Sequence, residues 1–240
     1  MREPRGGGAA VRAPYARHPP VVKAACGLRT QERHLHAVAN SPQACQRMSD
    51  AAVGRLLVAS LHQGISDVLP TRLEFYESWL NPSGLRDGRI GLAPLTAVLS
   101  FLRQEGAYRE VAGRAGEYTA EWTLADLPAF QRAVIRSAPV PIRLRLVMIV
   151  ARRMVRSTFG GSKAVVRFRK GGGAIDIQGS IFCTVRDRVP QPLCEFYAAA
   201  IRRLMHLFSL NVTIHTNSCR ATGASSACVM SLLVRAEAPL

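Results

Sequence analysis

The stretch "SKAVVRFRKGGGAIDIQGSIFC" (162–183) marks the change from helical to extended structure along this chain. In its second half Ile175, Ile177, Ile181 and Cys183 alternate with Asp176, Gln178 and Ser180. Strict alternation is typical of half-buried strands, and a glycine triplet between two such runs supplies a turn. We therefore predict a β-hairpin whose second strand runs to Cys183.

One helix and two more strands are predicted after the hairpin. "PLCEFYAAAIRRLMHLFSL" (192–210) has an apolar stripe at helical spacing, with charged residues opposite. "NVTIHTNSC" (211–219) and "CVMSLLVRA" (228–236) are short extended runs joined by a Gly-Ala-Ser turn. Because residues 49–159 show helical periodicity, the prediction is an α+β fold: an N-terminal helical layer followed by β-β-α-β-β, with an antiparallel sheet packed on the helices.

The first 47 residues differ in composition from the rest. They contain a glycine triplet, several prolines and no sustained period, so we expect a disordered tail. Met48 begins the first helical pattern and is a candidate natural start; a transit peptide is the alternative, since the segment is rich in arginine and poor in acids. Residues 48–240 are predicted to form a single domain.

Positive charge is concentrated in the tail and in one belt. The net charge is +16, and residues 142–170 carry nine Lys/Arg and no acid. Arg145, Arg152 and Arg156 follow helical spacing and predict either an anion-binding face or a solvated one. No nucleic-acid-binding motif accompanies them, so we expect no nucleic-acid partner. No apolar run is long enough to span a membrane, and no secretory signal is present, so a cytoplasmic location is expected.

Three cysteines are candidate metal ligands. Cys194 precedes a predicted helix, Cys219 ends a strand and Cys228 begins the next. Zinc takes four ligands and favours thiolates, so these residues with His215 or a water would complete a site. Cysteine is also a common buried residue, and plain packed thiols are the alternative.

Five aromatic residues are candidates for lining an apolar ligand pocket, with ordinary core packing as the alternative. They lie on helices or near the ends of elements: Tyr118, Trp122, Phe159, Phe182 and Phe196.

"LCEFYAAAIRRLM" (193–205) and "CRATGASSAC" (219–228) resemble the C-terminal signature of the 4-vinyl reductase domain family. The upstream "AGEYTAEW" (115–122) and "ARRMVRSTFGGS" (151–162) are similar to the bacteriochlorophyll 4-vinyl reductase branch. The resemblance implies a fold like that of vesicle-tethering transport-protein-particle subunits and haem-nitric-oxide-binding domains. It also implies a zinc site around Cys194, Cys219 and Cys228, with a glutamate at the position that Thr216 occupies here.

The resemblance implies a cytoplasmic module that binds a small hydrophobic or aromatic molecule, such as a tetrapyrrole, as a sensor or carrier. An enzyme or accessory in vinyl reduction of bacteriochlorophyll precursors is one alternative, and a protein-interaction module is another. A second copy of the chain is a further candidate partner. No catalytic triad, phosphate-binding loop or dinucleotide motif is visible, so we do not expect a self-sufficient enzyme.

Overall fold

The computed structural model describes residues 53–80, 91–169 and 171–235. All of them belong to one compact unit that spans Asn40–Leu240. The predictions for residues 1–47, a tail or an upstream segment, lie outside the described residues. No helix within the described ranges is long and apolar enough to cross a membrane.

Seven α-helices and four strands form the described part of the chain, and the α+β prediction is confirmed. In chain order the elements are α1 (Arg55–Val68), α2 (Leu73–Leu80), α3 (Leu92–Leu102), α4 (Tyr108–Asp126), α5 (Ala129–Ser137), α6 (Val140–Thr158), β1 (Lys163–Arg169), β2 (Gly172–Gln178), α7 (Glu195–Leu207), β3 (Val212–Ser218) and β4 (Cys228–Val234).

The four strands form one antiparallel sheet in the order β1-β2-β4-β3. Side chains alternate across it, so that Ile175 and Ile177 of β2 and Met230 of β4 lie on the buried face. This face belongs to one continuous apolar core with the helices, and α6 packs on β1 while α7 packs on β3.

The second hairpin strand is shorter than the sequence predicted. β2 ends at Gln178, and Gly179 follows with a φ of 68°. A residue in this left-handed conformation interrupts the extended backbone. The chain then forms a 3₁₀ turn over Ile181–Cys183 instead of continuing the strand.

Helix α4 lies in the middle of the helical layer, against both α1 and α7. Glycines allow this close approach. A Cβ added at Gly64 would lie 2.9 Å from the carbonyl oxygen of Val111, and one at Gly116 would lie 2.2 Å from that of Phe196. The backbones of α4 and α7 therefore meet directly at Gly116, next to the segment that carries Cys194.

Candidate metal centre

Four cysteines meet in the interior at one end of the sheet. Cys183, Cys194, Cys219 and Cys228 are at most 1% exposed. All four Sγ atoms lie within 4.8 Å of one another. Cys183 Sγ is 3.5 Å from Cys219 Sγ and 3.4 Å from Cys228 Sγ. These separations exceed the roughly 2.05 Å of a disulfide, and all four thiols are free.

Each cysteine comes from a different local structure. Cys183 ends the 3₁₀ turn after β2, and Cys194 is the N-cap residue of α7. Cys219 follows β3, and Cys228 is the first residue of β4, where it pairs with Ile177. The cluster therefore joins the sheet to the start of α7 and to the connection between β3 and β4.

Four thiols this close together in the interior are costly to ionise without a cation among them. Hydrogen bonding with Cys194, Cys219 and Cys228, together with burial, raises the pKa of the Cys183 thiol above its usual range. Hydrogen bonds from Cys183 and Cys194 hold the pKa of Cys219 below its usual range. Loss of all four protons would leave four anions together in the interior. A bound cation would relieve that repulsion.

Groups on α3 and α4 hold the backbone that carries two of these cysteines. Arg103, just after α3, donates from Nη2 to the carbonyl oxygens of Ile181 (3.2 Å) and Phe182 (2.9 Å). Tyr108 donates from its hydroxyl to the carbonyl oxygen of Leu193 at 2.8 Å. Burial lowers the pKa of the Arg103 guanidinium and raises that of the Tyr108 hydroxyl. The hydrogen bonds of Arg103 therefore place its guanidinium beside the turn that ends at Cys183.

His215, the predicted candidate for a fourth ligand, does not belong to the cluster, and Cys183 is the residue that lies beside the other three cysteines. The prediction assumed that His215 and Cys219 share one face of a regular strand. A β-bulge shifts the register between Thr216 and Ser218, and the shift reverses that parity. His215 pairs with Ser231 and is exposed, whereas Cys219 is buried.

Thr216 occupies the position where the family resemblance implied a glutamate. Its Oγ1 atom is 4.0 Å from Cys194 Sγ, so this position does lie beside the cluster. The threonine hydroxyl has no ionised form near neutral pH, whereas a cysteine thiol such as that of Cys183 loses its proton when it binds a metal. The fourth sulfur of the cluster therefore comes from the 3₁₀ turn and not from β3.

Sequence reasoning missed Cys183, Arg103 and Tyr108. Cys183 was assigned to the apolar face of the long predicted strand, although it stands only eleven positions before Cys194. The Gly-Ser pair at 179–180 was the signal that the strand could end early. Arg103 and Tyr108 had no sequence signal, because their contacts join segments 78 or more residues apart.

The predicted aromatic pocket residues fall into two groups. Phe182 and Phe196 are fully buried, and their rings stack with centroids 4.4 Å apart, next to the cysteines in sequence. Phe159 is also buried and makes no ring contact with them among the described residues. Tyr118 and Trp122 lie half-buried on α4 and contact each other at 5.6 Å. The structure thus brings together Phe182 with Phe196, and Tyr118 with Trp122.

The three predicted anion-binding arginines are exposed on α6. Arg145 lies beside a cavity of about 630 Å³ between α6 and the β1–β2 turn. Arg152 and Arg156 do not line this cavity. Of these three arginines, Arg145 is therefore the one placed beside a space of ligand size.

No family model and no curated protein matches the chain by sequence. Among solved structures, the chain is similar to the phenol-responsive sensory domain of the transcription activator PoxR with phenol, at 13% identity and a TM-score of 0.44, over 60% of this chain and 75% of that one. It is also similar to an H-NOX protein from S. oneidensis in the Fe(II)NO ligation state, at 9% identity and a TM-score of 0.45, over 77% of this chain and 100% of that one. Because both TM-scores are below 0.5, the function proposed below depends on this chain's own residues.

Proposed function

We propose that this chain is a small-molecule-binding module of the 4-vinyl reductase domain type, stabilised by one zinc ion. The observation that supports the zinc is the cluster of four buried thiols, Cys183, Cys194, Cys219 and Cys228. The ligand is a hydrophobic or aromatic molecule, with a tetrapyrrole as one candidate, and the module acts as a sensor or carrier.

The donor set fits zinc in number, type and spacing. Zinc–sulfur bonds of about 2.3 Å in a tetrahedron place the sulfur atoms about 3.8 Å apart. The separations of 3.4, 3.5 and 3.9 Å among Cys183, Cys219 and Cys228 agree with that edge. Four sulfur ligands at tetrahedral spacing favour zinc or iron over the harder cations that prefer oxygen.

The burial of the site indicates a structural role for the metal. Catalytic zinc keeps an open position for water or substrate, whereas four protein ligands in a closed site complete the coordination. With all four cysteines at most 1% exposed, a substrate has no route to the ion. The zinc would therefore hold the start of α7 and the β3–β4 connection in place. Free thiols also fit a reducing compartment, which supports a cytoplasmic location.

The proposal is tested on the purified full chain by elemental analysis and native mass spectrometry. We expect about one zinc per chain, as a single four-ligand site requires, and a co-purifying apolar ligand. Visible absorption would identify that ligand as a tetrapyrrole. Metal-free protein of unchanged melting temperature would contradict the zinc site. Protein without ligand that also fails to bind aromatic compounds would contradict the binding function.

A further inference from the structure

The cavity between α6 and the β1–β2 turn has the size and lining of a ligand site. Its volume of about 630 Å³ is within the range of small-molecule pockets. Val140, Leu144 and Phe168 contribute apolar side chains to it, and Arg145 and Arg169 stand at the same cavity. It is separate from the thiol cluster, none of whose cysteines line it.

Two of the apolar side chains at this cavity are exposed to water. Val140 is 49% exposed and Phe168 is 44% exposed. Phe168 lies four positions after the buried Ala164 on β1, so both side chains are on the face of the sheet that packs against the helices. Phe168 is nevertheless exposed, because α6 does not cover this end of the strand. An apolar ligand lying between Val140 and Phe168 would remove this surface from water, which is favourable.

Among the residues that the structure describes, no acidic side chain pairs with either arginine at the cavity. Neither Arg145 nor Arg169 forms an ion pair or side-chain hydrogen bond within the described ranges, whereas Arg167 on the same strand pairs with Asp176. The Arg145 guanidinium lies 5.8 Å from the centroid of the Phe168 ring. A guanidinium presents several N–H donors in a plane and matches a carboxylate in a bidentate manner.

We propose that this cavity binds a small apolar molecule that carries a carboxylate. The apolar body lies against Val140, Leu144 and Phe168, and the carboxylate accepts hydrogen bonds from Arg145 on α6. This inference rests on the proposed binding function and gives it a place and a ligand class. It also gives Arg145 a role in ligand binding that Arg152 and Arg156 do not share, because those two residues do not line the cavity.

The test compares 2-naphthoate with neutral 2-naphthamide by titration calorimetry on the full chain. The two compounds share the ring system and differ in charge. We expect naphthoate to bind about tenfold more tightly, because a hydrogen bond to a charged group is worth about one order of magnitude or more. Arg145→Gln should remove this preference. Arg152→Gln removes the same charge from the same helix outside the cavity and should leave the preference intact.

A second pair of variants tests the apolar wall. Phe168→Ser should weaken the binding of both compounds, whereas Val165→Ser, at an exposed position on the opposite face of β1, should not.

Equal effects of Arg145→Gln and Arg152→Gln would overturn the site, since they would indicate attraction by the basic residues of the belt as a whole. Naphthoate binding that survives both Arg145→Gln and Phe168→Ser would also overturn the site, while the binding function would stand. If neither compound binds and no ligand co-purifies, the binding function fails as well.

Discussion

The Sγ atoms of Cys183 and Cys228 lie 3.4 Å apart, although 45 positions separate the two residues in sequence. The chain between them includes α7 and β3, so a metal bonded to both sulfurs would close a long loop. Closing such a loop restricts the unfolded chain, and the binding free energy of the metal becomes folding free energy. A small sheet that is covered by helices on one face would gain stability from this link.

The identity of the fourth ligand gives the first prediction. Cys183→Ser should abolish zinc binding and lower the free energy of unfolding by several kcal/mol, because structural zinc contributes directly to folding. His215→Ala should retain one zinc per chain and change the melting temperature little, since His215 is exposed and outside the cluster.

Both variants are measured by elemental analysis and thermal unfolding, with and without a chelator. The chelator should lower the melting temperature of the wild type and of His215→Ala, but not that of Cys183→Ser. The reverse pattern, with zinc lost from His215→Ala and kept by Cys183→Ser, would contradict the four-cysteine assignment.

The groups around the cluster give the second prediction. Arg103→Gln removes a partly buried charge and the hydrogen bonds to the carbonyl oxygens of Ile181 and Phe182. Loss of such outer-shell contacts typically weakens metal affinity by about 10- to 100-fold. Tyr108→Phe removes only a neutral hydrogen bond to Leu193, so it should cost about 1 kcal/mol of stability and affect zinc less.

Zinc affinity in these variants is measured by competition with a coloured chelator. Arg103→Lys keeps the charge but not the planar pair of donors, and it should fall between the wild type and Arg103→Gln. Equal zinc affinity in Arg103→Gln and the wild type would show that Arg103 supports only the fold.

The elements of the C-terminal half were predictable because their hydrophobic periods are local. The alternation in 174–178 and the stripe in 193–208 specify a strand and a helix wherever they pack. The same patterns place Cys194, Cys219 and Cys228 at element ends. Antiparallel pairing of β3 and β4 puts Cys219 and Cys228 at the same end of the sheet, whereas Cys194 was grouped with them through the family resemblance.

The presence of Cys183 in the cluster, and the absence of His215 from it, result from two backbone irregularities. The turn at Gly179 stops β2 and redirects Cys183, and the bulge before Ser218 turns Cys219 inward and leaves His215 outside. Strand parity is exact only while the ladder is regular, so one extra residue exchanges the two faces. The spacing of apolar residues in the sequence does not predict where such a bulge occurs.

The third prediction concerns the surface contact between α1 and α4. Tyr118 donates a hydrogen bond from its hydroxyl to Asp67 Oδ2 at 2.7 Å. This bond, with those from Gln63 and Arg114, holds the pKa of Asp67 below its usual value. A carboxyl with a lowered folded-state pKa stabilises the fold above its unfolded pKa of about 3.9, and the contribution is lost as the pH falls through the folded value.

Tyr118→Phe should therefore lower the melting temperature slightly at pH 7, and the difference from the wild type should shrink below about pH 4. Asp67→Asn cannot titrate, so in that background the effect of Tyr118→Phe should be the same at both pH values. A Tyr118→Phe effect that persists at low pH in the Asp67 protein would indicate that ring packing with Trp122, not the hydrogen bond, is responsible.

The last prediction compares two glycines on adjacent turns of α4. A Cβ at Gly116 would lie 2.2 Å from the carbonyl oxygen of Phe196, a backbone atom that can move only if α7 moves. A Cβ at Gly113 would meet Glu195 Cγ at 3.9 Å and Ala199 Cβ at 4.0 Å, which are ordinary contacts.

Gly116→Ala should thus destabilise the fold by about 1–3 kcal/mol or more, as overpacking does. Gly113→Ala should stabilise it by about 0.4–1 kcal/mol, because alanine favours the helix and restricts the unfolded chain. Denaturant unfolding of the zinc-loaded proteins measures both changes. Equal effects of the two substitutions would contradict the close backbone contact between α4 and α7, on which the position of Cys194 depends.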